Sequence, residues 1–297
     1  MPRQLFGTTP FLCALSGAIA LLSCGKKDTK ATDATVAATQ PVTINFKATV
    51  GDAPLNCGQS YAGVGTTGST IEVRDFRFYV YNPQLLKADG TKVALTLTQD
   101  GKWQRDNVAL LDFTNGTGLC DSSGTSTNTA IGGTVPIGTY TGLSFQFGLP
   151  PKLNHLNAAT ETAPFNETGM WWTWKGGYKY SRFDFKTSGQ DNFYIHMGAT
   201  NCTGTVEAGF TCAYDYEPIM SFAAFDSATQ AIKLDVKTLL TGSDLDAAPN
   251  TQAGDFVKGC MAFPGDQECP PIFEKLGLVF SSKDAGPAAT AFTVVNL

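Results

Sequence analysis

IEVRDFRFYVY, residues 71–81, is the stretch on which the fold turns. Successive side chains of a strand point to opposite faces, so Phe76, Phe78 and Val80 share one side of it. Period-two patterning returns at Val42–Val50 (VTINFKATV), Lys92–Thr98, Val108–Phe113, Tyr140–Leu149, Trp171–Phe185, Asn192–Met197 and Ile232–Val236, with turn-forming residues between. Many strands joined by Gly/Ser/Thr-rich turns predict an all-β chain, an antiparallel β-sandwich or a partly closed barrel. Only Ile272–Leu276 and Leu239–Asp246 read as short helices. Three long loops, Gly51–Thr70, Thr114–Thr134 and Ala247–Pro271, each contain cysteine. Disulfides would hold such loops against the body, which favours order.

Residues 2–24, PRQLFGTTPFLCALSGAIALLSC, place one Arg before an apolar run that ends in Leu-Ser-Cys. The run is too short to span a bilayer permanently, so residues 1–23 read as a signal peptide. Leu21-Leu22-Ser23-Cys24 resembles a lipobox, which makes Cys24 the expected lipidation site. Gly25–Gln40 has no aromatic residue and cannot bury enough apolar surface to fold. The expected organisation is therefore a lipidated Cys24 with a flexible tether over 24–41, then one β-sandwich domain over 42–297. The chain would be exported and lipid-anchored, in the outer membrane on its periplasmic face or at the cell surface.

The formal net charge is −5, with no Lys/Arg run, which speaks against a nucleic-acid partner. Membrane contact would come through the lipid. Of eight cysteines, Cys13 leaves with the signal and Cys24 takes the lipid. An even number remains, which in an exported chain implies disulfides rather than thiolate metal ligands. Nearness along the chain suggests Cys202–Cys212 and Cys260–Cys269, leaving Cys57–Cys120.

Enzyme signatures are missing. No serine nucleophile elbow and no phosphate-binding glycine loop occur, and no carboxylate pair stands out by its spacing. The expectation is a protein that is not an enzyme.

GMWWTWKGGYKY, residues 169–180, holds three of the four tryptophans. In a strand Trp172 and Trp174 share a face opposite Trp171. Such a pair can be core packing, a sugar-stacking platform or a redox-active pair, and physics alone puts packing first. The two histidines are His155, after the strand ending at Leu149, and His196 in FYIHMGATNC. Pairing of Trp171–Phe185 with Asn192–Met197 would set His196 beside the Trp strand, with His155 at its entrance. Met170 and Met197 could add thioether sulfur, which with imidazole suits Cu(I). A histidine in a strand is more often a hydrogen-bonded structural residue, and methionine more often a gap-filler.

VRDFRFYVYN (73–82), ALLDFTNGTGLC (109–120), YTGLSFQFGLPPKLNH (140–155), MWWTWKGGYKYSRFDF (170–185), FYIHMGATNC (193–202) and CMAFPGDQECPPIFEKLGL (260–278) together resemble the MbnP-like copper-binding proteins, the four-Cys protein of the metallo-mystery pair. The resemblance runs in order over nearly the whole chain after the tether. It implies a secreted or lipid-anchored β-rich protein that works beside a di-haem partner similar to cytochrome c peroxidase and MauG. It further implies that a tryptophan of the W-x-W segment, Trp174 or Trp172 here, is oxidised to kynurenine. Copper would then be held by that residue together with His155 and His196, and the role would lie in copper acquisition or homeostasis. Kynurenine offers an aryl amine and a ketone where indole offers only a donor, so a poor ligand becomes a usable one. Six cysteines exceed the four of the family's name, WWTW extends its W-x-W, and AYDYEP (213–218) is unfamiliar in it. The alternative is a surface carbohydrate-binding or structural lipoprotein that uses the tryptophans for stacking or core packing.

Overall fold

The computed structural model describes residues 37–120, 124–173, 175–247 and 258–297. The signal read at 1–23, the lipid site read at Cys24 and Trp174 lie outside the described residues. Residues 37–297 form one compact unit.

Two open sheets make a sandwich. The smaller runs in the order Phe292–Asn296, Gln230–Asp235, Thr39–Val50, Ala130–Pro136, Thr96–Leu97, with Ala53–Pro54 folded back on Thr39–Val50. The larger is built on Ser69–Leu86, an eighteen-residue strand that contains the opening stretch. Its order is Ile219–Phe222, Gly142–Phe147, Ser69–Leu86, Ser181–Lys186, Phe193–Met197, Gly259–Cys260. Most pairings are antiparallel; Thr39–Val50 with Gln230–Asp235, and Phe193–Met197 with Gly259–Cys260, are parallel. The sheets are therefore mixed, and neither closes into a barrel.

Phenylalanine fills the space between the sheets. Phe46 lies 6.3 Å from Phe78 and 5.6 Å from Phe145, and Phe292 lies 6.0 Å from each of Phe78, Phe145 and Phe147. Each fully buried ring stabilises the fold by about 1.5–3 kcal/mol. Strict alternation through residues 71–81 is interrupted once. Asp75 pairs with Asp184 but Val73 pairs with Phe185, so Arg74 is an extra residue in the ladder. This bulge turns Val73 to the same side as Phe76, and both enter the core.

The opposite face of the large sheet is also covered. Residues 148–180 cross it: Tyr79 donates its hydroxyl to the Pro164 carbonyl at 2.9 Å and packs on Phe165 and Tyr178, whose own hydroxyl bonds to the Phe165 carbonyl. Asp75, Arg77 and Asp184 are buried by this cover.

One local expectation is corrected. Residues 171–185 are not a single strand. Trp171–Thr173 and Gly177–Tyr178 form a small hairpin of their own, and only Ser181–Lys186 joins the sheet. The break sits at Gly176-Gly177, where Gly177 has φ +72° and an added Cβ would come 2.5 Å from the Asn154 carbonyl oxygen. A short helix over Cys269–Lys275 overlaps the expected Ile272–Leu276, whereas the helix expected over Leu239–Asp246 is not formed: the helical turn there is Val236–Leu239, started by the Asp235 carboxylate, which accepts the Lys237 N–H as a cap. Three disulfides join Cys57 to Cys120, Cys202 to Cys212 and Cys260 to Cys269.

Candidate metal centre

Three adjacent strands of the large sheet carry a row of alternating charges under the 148–180 cover. Arg77 Nε and Nη2 donate to the two oxygens of Asp75 at 2.8 and 2.5 Å. Arg182 lies 3.2 Å from Asp75 through Nη1, and its Nε donates to Asp184 Oδ2 at 2.8 Å. Asp184 Oδ1 meets His196 Nε2 at 2.6 Å. The register explains the row, since Arg182 pairs with Arg77 on one side and His196 on the other, and Asp184 with Asp75 and Tyr194.

The charge states follow from this geometry. Burial works to raise the Asp184 carboxyl, but its bonds to His196 and Arg182 outweigh burial and hold it below its ordinary value. Burial lowers the His196 pKa despite Asp184, and the cations of Lys179 and Arg182 add to the effect. An ionised carboxylate can only accept, so the Nε2 that Asp184 meets at 2.6 Å carries the single proton of the neutral imidazole. Nδ1 keeps its lone pair, and it is buried without a hydrogen-bond partner among the described residues. Lys179 is lowered to about 8, chiefly by burial and next by Arg182; its Nζ donates to the Gly169 carbonyl.

Trp172 approaches the same segment from the hairpin. Its six-membered ring lies where a side chain of Gly198 would be: an added Cβ would sit 2.6 Å from Cζ3. Gly198 is two residues beyond His196 in the chain. The Trp172 Nε1 atom is buried and lacks a partner among the described residues. The ring is 5.9 Å from Phe263 and borders a cavity of about 460 Å³ that also touches Lys175, Cys202 and Met261.

His155 is placed beside the hairpin by its neighbours. Asn154 accepts the Tyr178 N–H at 3.1 Å, and the Leu156 carbonyl accepts the Trp171 indole N–H at 3.2 Å. Its ring stacks on Phe210 at 4.5 Å, and its Nε2 lies 3.4 Å from Cys212 Sγ, on a second cavity of about 260 Å³. The contacts of His155 include Asn154, Phe210 and Cys212, and those of His196 include Asp184 and Tyr194.

Met170 and Met197 are fully buried in the core. Alternation along Phe193–Met197 turns Met197 to the Phe193 and Ile195 side, away from His196. Reading the sequence missed Asp75, Arg77, Arg182 and Asp184, because charged residues alternating with Phe look like a solvated face. The one available signal was their density, two acids and two arginines on neighbouring strands.

The family model of MbnP matches residues 39–262. The chain belongs to the MbnP family. MbnP from Methylosinus trichosporium has a similar structure, with a TM-score of 0.76 and 26% identity over 87% of this chain and 99% of that chain. None of the curated proteins matches in sequence. For this MbnP-family chain, the segment that forms the hairpin, the row of charges and Gly198 all fall inside the matched residues.

Proposed function

We propose that this chain is an exported copper-binding protein, not an enzyme, and the substrate of a di-haem partner similar to cytochrome c peroxidase and MauG. In this reading the partner oxidises Trp172 or Trp174 to kynurenine, and copper is held by the modified residue with His196 and His155. The observation that carries it is that two ring nitrogens, His196 Nδ1 and Trp172 Nε1, are buried without hydrogen-bond partners among the described residues, while the Trp172 ring packs on Gly198, two residues beyond His196. Buried polar atoms in native folds are bonded as a rule, so each of these orphans speaks for a missing partner. A bare imidazole nitrogen suits a soft cation, and oxidation would exchange the indole donor for a ligating amine and ketone.

The chain's own residues have defined tasks in this site. Asp184 orients His196, Gly198 makes room for the Trp172 ring, and the Gly176-Gly177 turn sets the hairpin against it. Copper, when bound, supplies a Lewis-acidic centre for these donors. The core placement of Met170 and the orientation of Met197 favour nitrogen ligands over thioethers. The carbohydrate reading asks for an open tryptophan face, and Trp172 is wedged against Gly198 and Phe263 instead.

Peptide mass spectrometry of protein co-produced with the partner tests the modification; Trp172 and Trp174 both unaltered would end that claim. Cu(I) titration of His155→Ala and His196→Ala tests the ligands, each variant being expected to bind at least tenfold more weakly.

A further inference from the structure

We propose that Arg182, held between Asp75 and Asp184, is a positioning residue for the metal centre: it fixes the Asp184 carboxylate so that His196 presents a bare Nδ1 to the cation. The inference rests on the copper reading and names what prepares that ligand.

Each Asp184 oxygen has its own partner, Oδ2 taking Arg182 Nε at 2.8 Å and Oδ1 taking His196 Nε2 at 2.6 Å. Rotation of the carboxylate about its bond would lose both. Arg182 is held from behind, its Nη1 lying 3.2 Å from Asp75, which is gripped in turn by Arg77 with two bonds. Arg77 Nη1 reaches Glu167 at 3.2 Å, on the covering segment next to the tryptophan hairpin. Rigid strands therefore carry every link but the last.

Two links are guanidiniums, which keep their protons at every working pH. The row thus passes no proton along; what it transmits is orientation. A buried ion network is also an expensive way to gain stability, because well-packed apolar side chains of equal volume usually do as well or better. Keeping four charges in line to end on one imidazole makes sense when the imidazole must face one way. Metal-bound histidines ordinarily have such a carboxylate on the far ring nitrogen, and loss of that support costs about 10–100-fold in metal affinity.

The test uses the full exported chain as isolated from its host. Nitrogen-15 NMR of the metal-free protein reads the protonation of each imidazole nitrogen, with the two histidines assigned through His155→Gln. His196 is expected to be protonated on Nε2 and bare on Nδ1. Arg182→Gln should mix in the other tautomer and lower Cu(I) affinity, measured against a chromophoric chelator, by about 10–100-fold. Arg182→Lys, which keeps a charged donor, should recover part of both. A proton on Nδ1 in the unaltered chain overturns the proposal, as does Arg182→Gln with unchanged spectrum and affinity. If Arg182→Gln does not fold, the unaltered spectrum and Arg182→Lys still decide. The two failures separate: no Cu(I) uptake by the unaltered chain removes the copper reading and this inference with it, whereas uptake that Arg182→Gln leaves unchanged removes this inference alone.

Discussion

The Trp172 ring occupies the space in front of Gly198, with Cζ3 and Cη2 at 2.6 and 3.0 Å from where a Cβ would be built, and the Tyr178 carbonyl oxygen at 2.8 Å. Backbone on one side and an indole on the other leave no soft neighbour to yield. Gly198→Ala should cost about 1–3 kcal/mol by overpacking and displace the ring. Thermal melting reads the first effect and the fraction of oxidised tryptophan in the co-produced protein reads the second. A variant with unaltered melting and modification would show that the ring is not held there.

Arg77 and Asp75 lie 2% and 0% exposed, so removing Arg77 takes two bonds from a buried carboxylate that keeps Arg182 at 3.2 Å. Arg77→Met should destabilise by about 3–5 kcal/mol, while Asp75→Leu combined with Arg77→Met should recover most of that loss. Urea denaturation of the single and double variants checks both. A double variant as weak as the single one would mean that the charges, not their pairing, are needed.

Glu217 predicts a pH dependence. Burial raises its carboxyl to about 7, with the Asp215 charge adding and the hydrogen bonds from Tyr81 and Tyr180 opposing. A carboxyl with a folded pKa above its unfolded value favours the fold fully below about pH 4, and that contribution is lost as pH rises through the folded value. Glu217→Gln, permanently neutral, should therefore melt close to the unaltered chain at about pH 5 and above it at about pH 8. Equal differences at the two pH values would show that the carboxyl is ionised throughout.

The disulfides should not contribute alike. Cys57–Cys120 closes 63 residues of chain and Cys260–Cys269 closes 9. On the chain-entropy account, serine pairs should cost about 4 kcal/mol at the first and about 2.5 kcal/mol at the second. Denaturant midpoints of the two double variants give the order directly, and the reverse order would place the stabilisation in native contacts instead.

Much of the sandwich was legible because its strands obey a period of two and its core is phenylalanine. The exceptions are informative. The Arg74 bulge is invisible in IEVRDFRFYVY, since one extra residue in a ladder depends on the partner strand, here Asp184 and Phe185. Taken from sequence, the tryptophan hairpin looks like a continuous strand because Trp and Tyr favour strands locally, whereas Gly177 and its fit against Asn154 end it. Thr200–Thr205 and Gly209–Tyr214 form a hairpin too polar for alternation to reveal. At the site, His196 and Trp172 stood out by rarity. The acids and arginines behind them did not, because burial by residues 148–180 is a tertiary event.

The hairpin that carries Cys202 and Cys212 has a consequence of its own. Cys202 borders the chamber beside Trp172, and Cys212 borders the one beside His155. A single covalent bond, Cys202–Cys212, is thus part of both walls, and any change that breaks it alters the lining of the two chambers together.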